Sequence, residues 1–310
     1  MNAMVKVAEP DRYALVIKAS KAGHWEVETD VIKGRDFETS KKFLPDGLSL
    51  VPEFTSLTDS EKRLVSQIQG RTYANVFGLV ERFITAKLLE IGRDHSLGNQ
   101  NALEALVRFS DEELKHQALF RRINKMMEAV LPAGYRFDVD PDGVARAVLS
   151  KSSWAVLVLT LHIEIFVQHH FRQSIQPDGE LSELFKDVFF YHWKDESQHV
   201  VLDELELKRI DAKLTFDERD RAVDDFIALV FAVDGILQAQ AVADVGYFAA
   251  NCGRTISEVE MSSLERQFLK AYRWQYIYSG ASHPRFQAIL KSLISEAQFE
   301  RIGTAVGALE

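Results

Sequence analysis

The stretch YHWKDESQHV, residues 191–200, sets two imidazoles and a carboxylate in one row. On a helix His192, Glu196 and His199 stand at i, i+4 and i+7 and share a face. The pair Glu196-x-x-His199 has a counterpart in DEELKHQ, where Glu113 and His116 hold the same spacing. Two further glutamates sit in apolar surroundings, Glu81 in FGLVERFIT and Glu164 in LHIEIFV. The order along the chain is Glu, Glu-x-x-His, Glu, Glu-x-x-His, and 32 residues separate Glu81 from Glu113 and Glu164 from Glu196 alike. A glutamate and a histidine three apart can each give a donor atom to one metal ion. Two such helices facing each other hold two ions, and the lone glutamates complete or bridge the pair.

This ligand order is that of ferritin-like di-iron and di-manganese proteins. A donor set of carboxylates and imidazoles without thiolate suits iron, with manganese as the alternative. Charge points the same way. Four ionised glutamates in an apolar bundle are costly alone, and two divalent ions offset them. Metal removal is therefore expected to raise the glutamate pKa values and lower stability. A single Glu-x-x-His is usually a solvated polar face; both motifs recurring in order with equal spacing favours metal. Glu112 also shares a face with His116 at i+4, but Glu113 matches the spacing around His199. His192 lies within reach of the same ion as a seventh ligand and makes the two ions unequal. The bland alternative for it is a residue behind the ligands or a surface histidine.

The elements that must position these residues are helices. Seven prolines punctuate the 310 residues, and between Pro52 and Pro284 they leave long intervals of helical apolar spacing. A proline inside a helix costs about 3 kcal/mol, so the gaps are informative. The spacing predicts helices over about 57–94, 99–131, 140–176, 179–211, 215–251, 256–279 and 283–307. The expected fold is all-α: a four-helix core over 57–211, about three further helices over 215–308, and an irregular N-terminal cover over 1–56, all in one domain.

Net charge is −9 with no long like-charged block, which argues against nucleic acid as a partner. The single cysteine, Cys252, allows no intrachain disulfide and fits a reducing cytoplasm. No secretory pattern is read at the N-terminus. The most apolar run, 154–167, contains His162 and Glu164 and is too short to span a bilayer, which needs about 20 residues. No membrane association is expected.

With Glu81, Glu113-Leu-Lys-His116, Glu164 and His192-x-x-x-Glu196-x-x-His199, the chain resembles the p-aminobenzoate N-oxygenase family of di-iron oxygenases. That resemblance covers most of the chain, and its selective feature is His192. It implies two iron ions held by these seven residues, O2 and an electron donor as partners, an aromatic amine as substrate, and a homodimer. A radical-storing reductase subunit would carry tyrosine where Phe120 stands. An acyl-type desaturase or hydroxylase, or an iron-handling protein with no organic substrate, are the alternatives. A pocket lined by the helices over 57–94, 140–176 and 256–279 and leading to the metals would distinguish oxygenase from iron store. In LKAYRWQYIYSG, Arg273 and Tyr276 are candidates for receiving a carboxylated aromatic ring. On that reading Arg273→Met raises KM for an acidic substrate and spares a neutral one. A packed helix with an arginine reaching to solvent accounts for the stretch equally well. His162, His169 and His170 match no ligand face and are read as packing groups.

Overall fold

The structure is a computed structural model and describes residues 9–309. Ten helices of nine or more residues carry the fold: α1 Glu9–Ala22, α2 Asp59–Gly92, α3 Gln100–Val130, α4 Pro141–Leu149, α5 Ser153–His170, α6 Glu183–Asp211, α7 Phe216–Asn251, α8 Glu258–Arg273, α9 Pro284–Leu293 and α10 Glu296–Gly307. The only pairing of β type among the described residues is one isolated bridge between Lys42 and Leu181. The chain is all-α, as its periodicity predicts.

Local chemistry sets the ends. Thr58 and Glu61 form a reciprocal capping box at the start of α2, and Thr215 with Glu218 does the same for α7. Pro141 occupies the first turn of α4, where its missing N–H costs nothing. Helices α2 and α3 pack as one pair and α5 and α6 as another, and the two pairs close a four-helix core. Helix α5 is apolar on every side because it is central: all but three of its residues are buried. With the wide turn that follows, its segment Ser153–Ile175 reaches 23 residues. That is longer than the sequence suggested and sufficient by length and composition to cross a membrane, but here 89% of its most apolar window is buried in the bundle. Helix α7 passes the same test with 39% of its window buried.

Three expectations need correction. The helix expected over 140–176 is two, α4 and α5, divided where the Ser152 hydroxyl caps Ala155. The one expected over 283–307 is also two, divided by a capping box of Ser295 and Gln298. Within the N-terminal cover, residues 9–22 form a helix, with Tyr13, Val16, Ile17 and Ser20 buried against α3 and α6. That i, i+3, i+4, i+7 spacing is the amphipathic signal. The rest of the cover is mostly short turns, and its expected first part, residues 1–8, lies outside the described residues. The cover docks tightly where Gly70 lacks a side chain: a Cβ there would stand 2.6 Å from Cβ of Phe43.

Candidate di-metal site

Each core helix sends its predicted ligands inward. Glu81 comes from α2, Glu113 and His116 from α3, Glu164 from α5, and His192, Glu196 and His199 from α6. All seven are at most 2% exposed. Their donor atoms fall into two overlapping groups: Glu81, His116, His192 and Glu196, and then Glu113, Glu164, Glu196 and His199, the atoms of each within 4.8 Å of one another. Glu196 belongs to both and is placed to bridge. Its Oε1 lies 3.2 Å from His116 Nδ1 and 2.7 Å from His192 Nε2, while Oε2 lies 2.5 Å from His199 Nδ1. Glu113 Oε1 stands 3.1 Å from His199 Nδ1 and 3.6 Å from His116 Nδ1, so it also faces both groups.

These residues fit two cations on their own hydrogen-bonding evidence. Glu81 Oε2, both oxygens of Glu113, His116 Nδ1 and Glu164 Oε2 are buried and have no hydrogen-bond partner. Buried polar atoms are almost always hydrogen-bonded, so five without such a bond, shared between the two groups and turned toward one another's charges, call for a ligand that accepts lone pairs. Burial pushes the Glu164 carboxyl well up, helped by the nearby charge of Glu196. Glu196 moves the other way. Burial alone would raise it, but His199, His192 and His116 around it hold it well below the usual carboxylate range. The expected rise in glutamate pKa therefore applies to Glu164 and not to Glu196. Burial would lower His199, yet Glu196 and Glu112 bring it up to about 9.

Behind these residues stand two carboxylates: Glu112, which the sequence offers only as a rival to Glu113, and Asp195, which its spacing does not single out. His116 Nε2 is 3.1 Å from Asp195 Oδ2, and His199 Nε2 is 2.8 Å from Glu112 Oε2. Each carboxylate accepts the N–H of one ring nitrogen and so turns the other, Nδ1, toward the centre. Asp195 also accepts from Trp25 Nε1 at 2.8 Å and pairs with Lys115 at 2.8 Å; Glu112 accepts from Ser20. Glu112 thus meets the outer nitrogen of His199, and Glu113 is the one of the two that faces the cluster. His192 differs from both: Nε2 is its inward atom, 3.1 Å from Glu81 Oε1, and its Nδ1 has no acceptor. One group is thereby richer in nitrogen, with two imidazoles against one. Asp203, one turn beyond His199, is buried with both oxygens unpartnered.

The remaining candidates separate. Phe120, at the position where a stored radical would need tyrosine, packs its ring 5.1 Å from that of His192. His162 bonds to the carbonyl of Ile277, and His170 lies between Tyr73 and Ser279, so both are packing groups. Tyr276 lines a cavity beside the site, whereas Arg273 does not. The Arg273 guanidinium is taken by Asp234, with Nε at 2.6 Å and Nη2 at 3.0 Å. The cause is a wide, π-type turn over Trp274–Tyr278 that continues α8 and buries Gln275, Tyr276 and Ile277 in succession. Its longer period breaks the i, i+3 relation that would place Arg273 and Tyr276 on one face. The cavity itself, about 170 Å³, is walled by α2, α4, α5 and α7. From the 256–279 segment it receives Tyr276 alone, so α7 takes the place expected for that helix.

Four inward helices, two of them bearing Glu-x-x-His, bring together the carboxylates and imidazoles that a di-metal site in a helical bundle requires. Among solved structures the chain is similar to R2-like ligand-binding oxidase. A tyrosine-to-phenylalanine mutant with aerobically reconstituted Mn/Fe cofactor shows 17% identity over 88% of this chain and 95% of that one, with a TM-score of 0.44. A glycine-to-leucine mutant with anaerobically reconstituted Mn/Fe cofactor shows 18% identity over 88% and 94%, with a TM-score of 0.42. No protein-family model and no curated protein matches the sequence.

Proposed function

We propose that the chain is an O2-dependent di-metal oxidase that oxygenates the nitrogen of a small aromatic amine. The observation that carries the reading is the pairing of a seven-residue, nitrogen-unequal ligand set with an apolar cavity one side chain away. Phe77 is that side chain: it lines the cavity and its ring lies 5.1 Å from His192. Two iron ions, or manganese in place of either, would be held by Glu81, His116 and His192 on one side and Glu164 and His199 on the other, with Glu113 and Glu196 between. When bound, the ions supply the reduction of O2 with electrons from a donor protein or small reductant. The chain's own residues hold the imidazoles in one tautomer through Asp195 and Glu112. They also exclude bulk water, through Phe77, Phe109 and Phe120 packed on the ligand rings.

An iron-handling role would want a polar way in and no chamber for an organic molecule, and a chamber of about 170 Å³ is short for an acyl chain. The reading carries with it a reducing cytoplasmic setting, a homodimer, and neither nucleic acid nor membrane as partner. Its test is O2 consumption by the reduced, iron-loaded protein, with products identified by mass spectrometry across a panel of arylamines. Amine-accelerated O2 uptake with hydroxylamine or nitro product supports it. Uptake indifferent to every amine, with no organic product, removes it.

A further inference from the structure

His170 is no ligand, yet its hydrogen bonds fix which of its nitrogens carries the proton. The Tyr73 hydroxyl on α2 lies 2.8 Å from His170 Nδ1, and His170 Nε2 lies 2.8 Å from Ser279 Oγ. The Ser279 hydroxyl donates to the carbonyl of Gln275 at 3.0 Å. Its one proton is thereby used, so it meets Nε2 as an acceptor. The ring proton is then on Nε2, and Nδ1 offers a lone pair to the Tyr73 O–H. The reverse order would leave the Tyr73 proton without an acceptor on a side chain that is 1% exposed. Burial, with His169 and His162 nearby, holds the His170 imidazole well below its usual value, and burial raises the Tyr73 phenol well above its own. A neutral base thus stands on a phenol that keeps its proton.

Tyr73 is also one ring removed from the di-metal site. Its ring centre lies 4.7 Å from that of Phe77 and 5.0 Å from that of Phe189, and those two lie 5.1 and 6.1 Å from His192. Phenylalanine rings do not give up electrons at potentials an enzyme reaches, so Tyr73 is the oxidisable group behind them. Its neighbour Tyr276 has no acceptor for its hydroxyl proton. Trp25 stacks on the ligand ring of His116, but the carboxylate that meets its N–H, Asp195, already holds His116 and Lys115 and is a poor proton acceptor.

We infer that Tyr73 is a redox-active residue and that His170 is its proton acceptor. One electron leaves the phenol for a one-electron oxidant, the di-metal site after reaction with O2. The Tyr73 O–H bond breaks and an Nδ1–H bond forms on His170, giving a neutral tyrosyl and a charged imidazolium. The electron donor that serves the site returns the electron, and the proton moves back to Tyr73. The pair discharges the oxidised site when no amine is present to do so. The identity of the oxidant rests on the oxidase reading; the Tyr73–His170 couple does not.

Electron paramagnetic resonance on the full-length protein tests this in two samples. Metal-depleted protein receives hexachloroiridate(IV), a one-electron oxidant mild enough to favour a tyrosine that has a base. Iron-loaded protein receives O2 without amine, and its O2 uptake is recorded. Both are expected to give a persistent tyrosyl signal that narrows with ring-deuterated tyrosine and is lost in Tyr73→Phe. His170→Gln keeps a hydrogen-bond acceptor but no base. Its melting temperature should hold while the signal falls about 10–100-fold, the effect of losing a hydrogen bond to a charged group. Nitrogen NMR of the parent protein should show His170 Nδ1 unprotonated at neutral pH. A signal that survives Tyr73→Phe, an undiminished signal in His170→Gln, a protonated Nδ1, or no tyrosyl in the metal-depleted sample would each overturn the proposal. O2 uptake without a tyrosyl signal would overturn the link between Tyr73 and the site. A tyrosyl formed by hexachloroiridate(IV) with no O2 uptake by the iron-loaded protein counts against the oxidase reading and supports the Tyr73–His170 couple.

Discussion

At the scale of single residues, the site depends on which ring nitrogen faces inward. Asp195 and Glu112 decide that for His116 and His199, each by accepting the N–H of Nε2. Replacing either with its amide keeps the shape but lets the side chain offer N–H instead of oxygen, so the imidazole loses its fixed tautomer. Asp195→Asn and Glu112→Gln are each expected to weaken metal binding by about 10–100-fold, the usual effect of losing such a support. Competition with a chelator of known affinity measures it; unchanged affinity in both variants would remove the orienting role. His192 makes a separate prediction. Its group retains Glu81, His116 and the bridging Glu196 without it, while the group around His199 is untouched. His192→Ala should therefore lower the affinity for one ion and leave that for the other unchanged, as read by stepwise competition with a chelator. Loss of both ions in one step at a common lower affinity would show that His192 supports the pair as a whole.

At the scale of elements, the wide turn after α8 governs which residues face the chamber. It gives Tyr276 to the cavity and Arg273 to Asp234, which is 2% exposed on α7. Arg273→Met leaves that carboxylate buried without its partner. The expected cost is on the order of 2 kcal/mol, below the range for a fully buried pair because Arg273 is partly exposed. Chemical denaturation reads it, and KM should change equally little for acidic and neutral amines; a rise confined to acidic ones would restore the substrate role. The same turn shows where sequence legibility ends. Long helices were legible because apolar periodicity and proline spacing are local. The convergence of the seven side chains was legible because a helix converts i+3 and i+4 directly into a shared face. The turn was not, since no proline or glycine marks WQYIY and its backbone differs from α-helix only in hydrogen-bond register. The breaks at Ser152 and Ser295 are serine caps that resemble ordinary polar positions until the next amide is seen to use them. Asp195 and Glu112 adjoin ligands in sequence, yet their roles depend on rings 79 and 87 residues away, and that pairing exists only once α3 meets α6.

At the scale of the whole molecule, four buried carboxylates and three buried imidazoles couple the stability of the bundle to both protons and metal. In metal-depleted protein the imidazoles must answer the carboxylates. Burial would lower them, but Glu196 with Asp195 raises His116 well above its usual value, Glu196 with Glu81 raises His192, and His199 reaches about 9. A histidine whose folded pKa exceeds its unfolded value of about 6.5 stabilises the fold fully below that pH. That contribution is lost as pH rises toward 9, where the folded imidazole gives up its proton. Metal-depleted protein should therefore melt at progressively lower temperature from pH 6.5 to 9. Bound cations replace those protons, so loading releases protons and tightens as pH rises. The loaded protein should hold its melting temperature over the same window, and the gain from metal should be smallest near pH 6.5 and largest near pH 9. Melting curves at pH 6.5, 7.5 and 9, with chelator and with added Fe(II) under argon, decide it. A metal-depleted melt that stays flat or rises with pH, or a metal effect greatest at pH 6.5, would mean that the seven side chains are not linked through shared protons in one dry interior.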